Sequence, residues 1–278
     1  MNLLVLVICP CMILSSLASK TLDSDTLPKT LLVLGLSLGY FVVAPFIAFF
    51  FARFMKHTPK EDLGVIMVIM TSTNTGFMGF PVTKSIFGDE IFFLIVVENI
   101  ILNIYFYSIA IFQINYGHNA KGDLGSSLKS IINPNIIAAL IGLIILFGRI
   151  SLPGPGLEFL DMLGSVTTPL SMLIVGMRLA NSNIKSVLKN RDLIFASFIK
   201  MFIMPVITFL LVNWLPIPQD VKLLLVWCSC FPTAVIMVSL SSKYKRNATL
   251  AAEGIALTTI ISLLVLPVAA TILSALYL

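Results

Sequence analysis

Apolar stretches of membrane-spanning length recur along the whole chain, and most charges are confined to the short connections between them. A hydrocarbon core takes about 20 apolar residues to cross as a helix. Such segments are expected at about 2–18, 30–54, 63–86, 91–115, 133–150, 159–180, 193–214, 221–241 and 249–276. Inside lipid the backbone must satisfy its own N–H and C=O groups, which leaves only helices or closed barrels. Runs this long exclude a barrel, whose strands alternate over about ten residues. Of the 278 residues 58% are hydrophobic and 11% charged, where a soluble domain carries about a quarter charged. The expected fold is an all-α polytopic membrane protein, one membrane domain over residues 1–278. The first apolar run is expected to begin that domain, since no cleavage site follows it.

One segment is a poor continuous helix. Met70–Gly88, MTSTNTGFMGFPVTKSIFG, contains Gly76, Gly79 and Pro81, which weaken or break a helix through lost backbone entropy and a missing N–H. Thr71, Ser72, Thr73, Asn74 and Thr75 put five polar side chains at membrane depth. Backbone freed by such a break must be satisfied by protein or by water in a cavity. A broken membrane helix is the best sequence pointer to a carrier's binding site.

The net charge of +5 comes from basic residues in the connections, a distribution that sets orientation and does not suggest nucleic acid. Twelve of the eighteen Lys and Arg fall on one side and five on the other, with Lys200 inside a segment. Positive residues favour the cytoplasm, so the twelve-residue side is expected inside and Leu278 outside, in a multi-pass protein of the cell membrane. Cys9, Cys11, Cys228 and Cys230 lie within apolar segments, and no His accompanies either Cys-x-Cys. They read as small buried hydrophobes, with no metal or cofactor expected.

The two halves resemble each other weakly. PFIAFF at Pro45–Phe50 matches PVITFL at Pro205–Leu210, and Pro10 with Leu17–Ser19 matches Pro169 with Leu179–Ser182. The broken third segment pairs with the eighth, where Pro232 lies mid-span, and ENII at Glu98–Ile101 pairs with TTII at Thr258–Ile261. Segments one to four thus map onto six to nine, as in inverted-repeat carriers. Residues 1–115 form the expected first repeat and 132–278 the second; the fifth segment has no mate, so a first helix of a five-plus-five repeat is expected to be missing before Met1.

These residues resemble the auxin efflux carrier family, which includes plant auxin carriers and bacterial malate-permease-like proteins, within the bile, arsenite and riboflavin transporter superfamily. Thr73–Gly88, TNTGFMGFPVTKSIFG, is similar to the family's P-N-T-L-V-M-G-I-P-L-L-K-A-M-Y-G. The runs Ile132–Ile145 and Leu160–Ala180 resemble its N-P-x-(I/L)-x-A-x-x-(I/L)-G and a-x-P-L-x-(L/M)-x-x-x-G stretches, and FPTAVIMVSLSSKY its second crossover. The resemblance covers essentially the whole chain. It implies a scaffold and a transport domain, the latter with two broken helices crossing at the substrate site. Thr73 stands where plant carriers have Pro, and the long cytoplasmic loop of the plant proteins is absent.

A broken helix offers unpaired N–H groups at a positive dipole end, a ready anion site. Asn74, Thr75 and Gly76 of the first crossover and Thr233 and Ala234 of the second are the expected substrate contacts; Gly79, Pro81 and Pro232 are expected to shape the crossover. Glu98 and Lys200 ionise within spans. Each must face protein or water, which makes them candidates for coupling or for pairing with substrate charge. Lys84 is expected at the outer mouth, and His57 and His118 are loop residues with no assigned role. The function expected is secondary transport of a small organic anion, malate-like or auxin-like, by alternating access, driven by protons, sodium or the anion's own gradient. A bile-acid-type sodium symporter and a non-transporting receptor are the alternatives. The expected partners are the anion, a coupling proton or sodium ion, the bilayer and, as one option, a second copy of the chain. No ATP-binding loop and no catalytic pair is present, so no enzyme is expected.

Overall fold

The computed structural model describes residues 4–20, 25–117, 134–167, 169–170, 173, 176–177, 187 and 190–278. His118, Ile132, Arg178 and the repeat match at Leu179–Ser182 lie outside the described residues. All regular structure among the described residues is helical: α1 Cys9–Ser19, α2 Thr26–Ala52, α3 Leu63–Thr71, α4 Phe80–Tyr107, α5 Ile109–Ile114, α6 Pro134–Phe147, α7 Gly154–Ser165, α8 Arg191–Phe198, α9 Met204–Asn213, α10 Gln219–Cys230, α11 Ile236–Lys243 and α12 Ala248–Tyr277. Each expected segment contains helix. The runs Thr26–Ala52, Leu63–Ile114, Arg191–Asn213 and Ala248–Tyr277 are long and apolar enough to cross a membrane. The chain is an all-α polytopic membrane protein.

Proline and polar caps set much of the local structure. Asn190 and Asn247 accept from Leu193 N at 3.1 Å and Leu250 N at 3.0 Å, starting α8 and α12 by N-capping. Three π turns, Leu4–Ile8, Thr75–Gly79 and Ile199–Ile203, each end two residues before a proline: Pro10, Pro81 and Pro205. A proline offers no N–H to the carbonyl four residues back and crowds it. That carbonyl belongs to Leu6, Phe77 or Met201, at the middle of each π turn, where the helix widens around it.

Within α4 the backbone leaves helical geometry at Gly88, φ 75° and ψ −167°, a conformation open to glycine. The chain folds back there. Phe80 packs against Phe92, Gly79 against Ile95, and Thr75 bonds Glu98, so each step forward along one arm is a step back along the other.

The helices form two groups. In the smaller, α1 packs on α6 and α7, so closely that a Cβ on Gly164 would lie 2.8 Å from the Met12 backbone. The larger contains α2–α5 and α8–α12, and meets the smaller chiefly through α4, which touches α1 and α6. There are two apolar cores, the first in the larger group and the second shared with Met12, Leu17, Ala138 and Leu146 of the smaller. One gathers Phe41, Ile66, Ile69, Tyr105 and Ala251; the other gathers Phe80, Phe92, Ile95, Trp227, Phe231 and Leu266. Along α4, α10–α11 and α12 the chain passes from one core to the other through buried polar residues: Glu98 and Asn99, Ser229 and Thr233, Thr258, Thr259 and Ser262. A polar layer therefore cuts the apolar interior at mid-height.

Candidate functional site

Both helix breaks lie in that layer. The first runs through Ser72–Asn74, with Ser72 extended at φ −72°, ψ 149°, and the second begins at Phe231 with φ −70°, ψ 147°. Phe231 precedes Pro232, which disfavours the helical region for it. The first break contains no proline, and it lies upstream of Gly76, Gly79 and Pro81, where the sequence placed it. Pro81 instead lies where the π turn runs on into α4, and its missing N–H is accommodated by that widened turn without breaking the helix. What holds the first break open is the second: Asn74 N donates to Pro232 O at 2.8 Å. Ala234 N donates to Ser72 Oγ at 3.4 Å, Thr233 Oγ1 to Ile69 O at 2.9 Å, and Thr233 N to Thr258 Oγ1 at 3.2 Å. Orphan groups at Asn74, Pro232, Ala234 and Ile69 are thus satisfied from one break to the other, and Thr233 N by α12.

The crossover opens on a cavity of about 110 Å³ where the larger group faces α6 of the smaller. Four asparagines line it, Asn74, Asn99, Asn103 and Asn135, together with Thr73, Gly76, Ala234 and Val235. It extends along the C-terminal half of α4 past Leu102 and Phe106 to Tyr107. Thr73 is 1% exposed and its Oγ1 is buried with no hydrogen-bond partner. A buried hydroxyl without a partner costs about 1–3 kcal/mol unless water or a ligand supplies one.

The sequence-expected residues divide by position. Gly76 and Ala234 line the cavity, as does Asn74, whose backbone forms the bridge. Thr75 and Thr233 are wholly buried behind it, their hydroxyls bonded to protein. Gly79 packs against Ile95 and Phe231, and Pro232 supplies the bridging carbonyl. Asn103 and Asn135 were not anticipated; the only sequence mark was an asparagine in an apolar segment. Asn99 and Asn103, four apart, share a helix face, a signal that periodicity carries.

Two ionisable groups flank the crossover, Glu98 at 2% exposure and Lys200 at 0%. Glu98 Oε2 accepts from Thr75 Oγ1 at 3.1 Å, at the start of the π turn leading into α4. Lys200 Nζ donates to Ser229 O at 3.4 Å, in the last turn of α10. An acid near a helix start and a base at a helix end both complement the backbone dipole. The two act on each other through space. At the far end of α4, Lys84 Nζ lies 3.6 Å from Asp89 Oδ1 and lines a second cavity, about 220 Å³, with Met12, Asp161 and Ser165. His57 joins a loop anchor: His57 N and Thr58 N donate to Asp192 Oδ2 at 2.8 and 2.7 Å.

Comparison with known proteins follows the same line. The sequence profile of the membrane transport protein family matches residues 1–270. The chain is 28% identical over 261 residues to the uncharacterized transporter MJ1031 of Methanocaldococcus jannaschii, covering 90% of this chain and 79% of that one. It is 22% identical over 206 residues to the uncharacterized transporter YfdV of Escherichia coli K12, covering 71% of this chain and 64% of that one. The match thus spans less than two thirds of the enterobacterial relative. With a profile match over residues 1–270 on a helical membrane fold, this chain belongs to the membrane transport protein family of auxin efflux carriers.

Proposed function

We propose that this protein is a secondary active transporter that moves a small organic anion, of the size and chemistry of malate, across the cell membrane by alternating access. The observation that carries the reading is the crossover cavity at the junction of the two helix groups. Its lining offers the carboxamides of Asn74, Asn99, Asn103 and Asn135 and the hydroxyl of Thr73, donors suited to a carboxylate. The half-helix after Asn74 begins there and adds its positive dipole end. Rocking α1, α6 and α7 against the rest would open the cavity to each side in turn. In this reading residues 1–115 and 132–278 are inverted repeats related by the two breaks. The basic connections lie inside and Leu278 outside.

Calorimetric titration of the purified protein with L-malate tests the site. Hydrogen bonds to a charged group contribute about 1.5–3 kcal/mol, so Asn74→Ala is expected to weaken binding about ten- to a hundredfold. Wild-type affinity in Asn74→Ala would place the anion elsewhere.

A further inference from the structure

The cavity is joined to the buried carboxyl of Glu98 by an unbroken run of side-chain hydrogen bonds. Asn103 Nδ2 donates to Asn99 Oδ1 at 2.9 Å, Asn99 Nδ2 to Thr75 Oγ1 at 3.0 Å, and Thr75 Oγ1 to Glu98 Oε2 at 3.1 Å. Asn99 and Asn103 line the cavity, while Thr75 and Glu98 lie behind it. We propose that this run is a coupling path: Glu98 carries a co-transported proton, and the Asn99 carboxamide presents that proton's arrival to the anion. The protein is then a proton–anion symporter. This rests on the cavity being the anion site.

The direction of the bonds supplies the logic. An ionised carboxylate only accepts, so Thr75 must donate to it and takes the Asn99 N–H on its own oxygen. That turns Asn99 Oδ1 toward Asn103. A proton on Glu98 makes the carboxyl a donor, and Thr75 Oγ1 becomes its acceptor. The hydroxyl proton of Thr75 then needs a new acceptor. A half-turn of the Asn99 amide supplies Oδ1 in the space Nδ2 held, since the two ends are nearly the same size. Asn99 Nδ2 now faces the cavity. Asn103 Nδ2 keeps its 2.8 Å bond to Asn99 O and exchanges its bond to Asn99 Oδ1. The protonated state therefore offers the cavity the Asn99 N–H donors that the ionised state holds back. No proton passes beyond Glu98; it is taken from water on one side and returned to water on the other.

Charge acts with the same sign. Lys200, in the π turn between α8 and α9, Tyr40 of α2 and Cys228 of α10 act on Glu98 through space. A phenol and a thiol are ordinarily neutral at pH 7, so Lys200 is the group among them that can oppose the charge of Glu98. A proton on Glu98 removes a buried negative charge that would otherwise repel the anion across a dry interior. Proton and anion thus favour each other's binding, reciprocally.

The test uses proteoliposomes with a pH-sensitive dye in the lumen and labelled L-malate outside, and reads protons moved per malate entered. Wild-type protein is expected to acidify the lumen in step with entry. In Thr75→Val the ratio is expected to fall at least about tenfold, and in Thr75→Ser to recover. Glu98→Gln gives Thr75 a permanent N–H donor, so its malate affinity is expected to be independent of pH, where the wild type weakens as pH rises. Acidification per malate in Thr75→Val equal to wild type, or pH-dependent affinity retained in Glu98→Gln, would overturn the path. Malate entry by the wild type without acidification would overturn the coupling alone. No entry at all would overturn the transport reading and this proposal with it.

Discussion

At the crossover, two residues of similar polarity do different work. Thr233 is fully buried, with its hydroxyl on Ile69 O and its N–H on Thr258 Oγ1. Thr233→Val keeps the shape but strands the Ile69 carbonyl, and is expected to lower stability by about 1–3 kcal/mol. Thermal unfolding in detergent reads this, with Thr233→Ser expected near wild type. Asn74→Ala leaves the backbone bridge to Pro232 in place, so its effect is expected in affinity and not in the unfolding midpoint. From the sequence the two residues looked alike, each a polar residue at a break. What separates them is a partner 164 residues from Thr233, which no local pattern contains. Asn135 escaped notice for the same reason, since only the packing of α6 against α4 brings it to Asn99 and Asn103.

Among the elements, proline governs less than its reputation and geometry across the break governs more. Pro81 widens the turn before it and then starts α4, while the break forms at Ser72–Asn74 because Pro232 O offers a partner there. Apolar length is a local property, so the long apolar helices were legible in sequence; the position of the first break depends on the second and was not. The fold-back at Gly88 brings Glu98 against Thr75, and its φ of 75° with ψ of −167° excludes a side chain at little cost only for glycine. Gly88→Ala is expected to destabilise the protein by about 1–3 kcal/mol. Thermal unfolding checks it, and an unchanged midpoint would mean the turn tolerates another conformation.

For the whole molecule, the proposed alternating access requires motion of one helix group against the other. Lys20, just after α1, lies 3.3 Å from Glu90 of α4 and joins the two groups; Lys29 of α2 lies 2.7 Å from Asp220 of α10, both within the larger group. The solvent-facing Lys20–Glu90 pair contributes little to stability and the Lys29–Asp220 pair is half-buried, and both mark where to tether. Lys20→Cys with Glu90→Cys, joined by a short bis-thiol reagent, is expected to stop transport, and Lys29→Cys with Asp220→Cys to leave it running. Transport through the first tether would remove the rocking of the two groups. The crossover cavity as a carrier's binding site is tested most directly by counterflow in proteoliposomes: labelled L-malate outside, unlabelled L-malate within. The wild type is expected to show saturable entry accelerated by internal malate, and Asn74→Ala a loss of at least about tenfold. Entry that neither saturates nor responds to internal malate, or counterflow in Asn74→Ala at the wild-type rate, would contradict it.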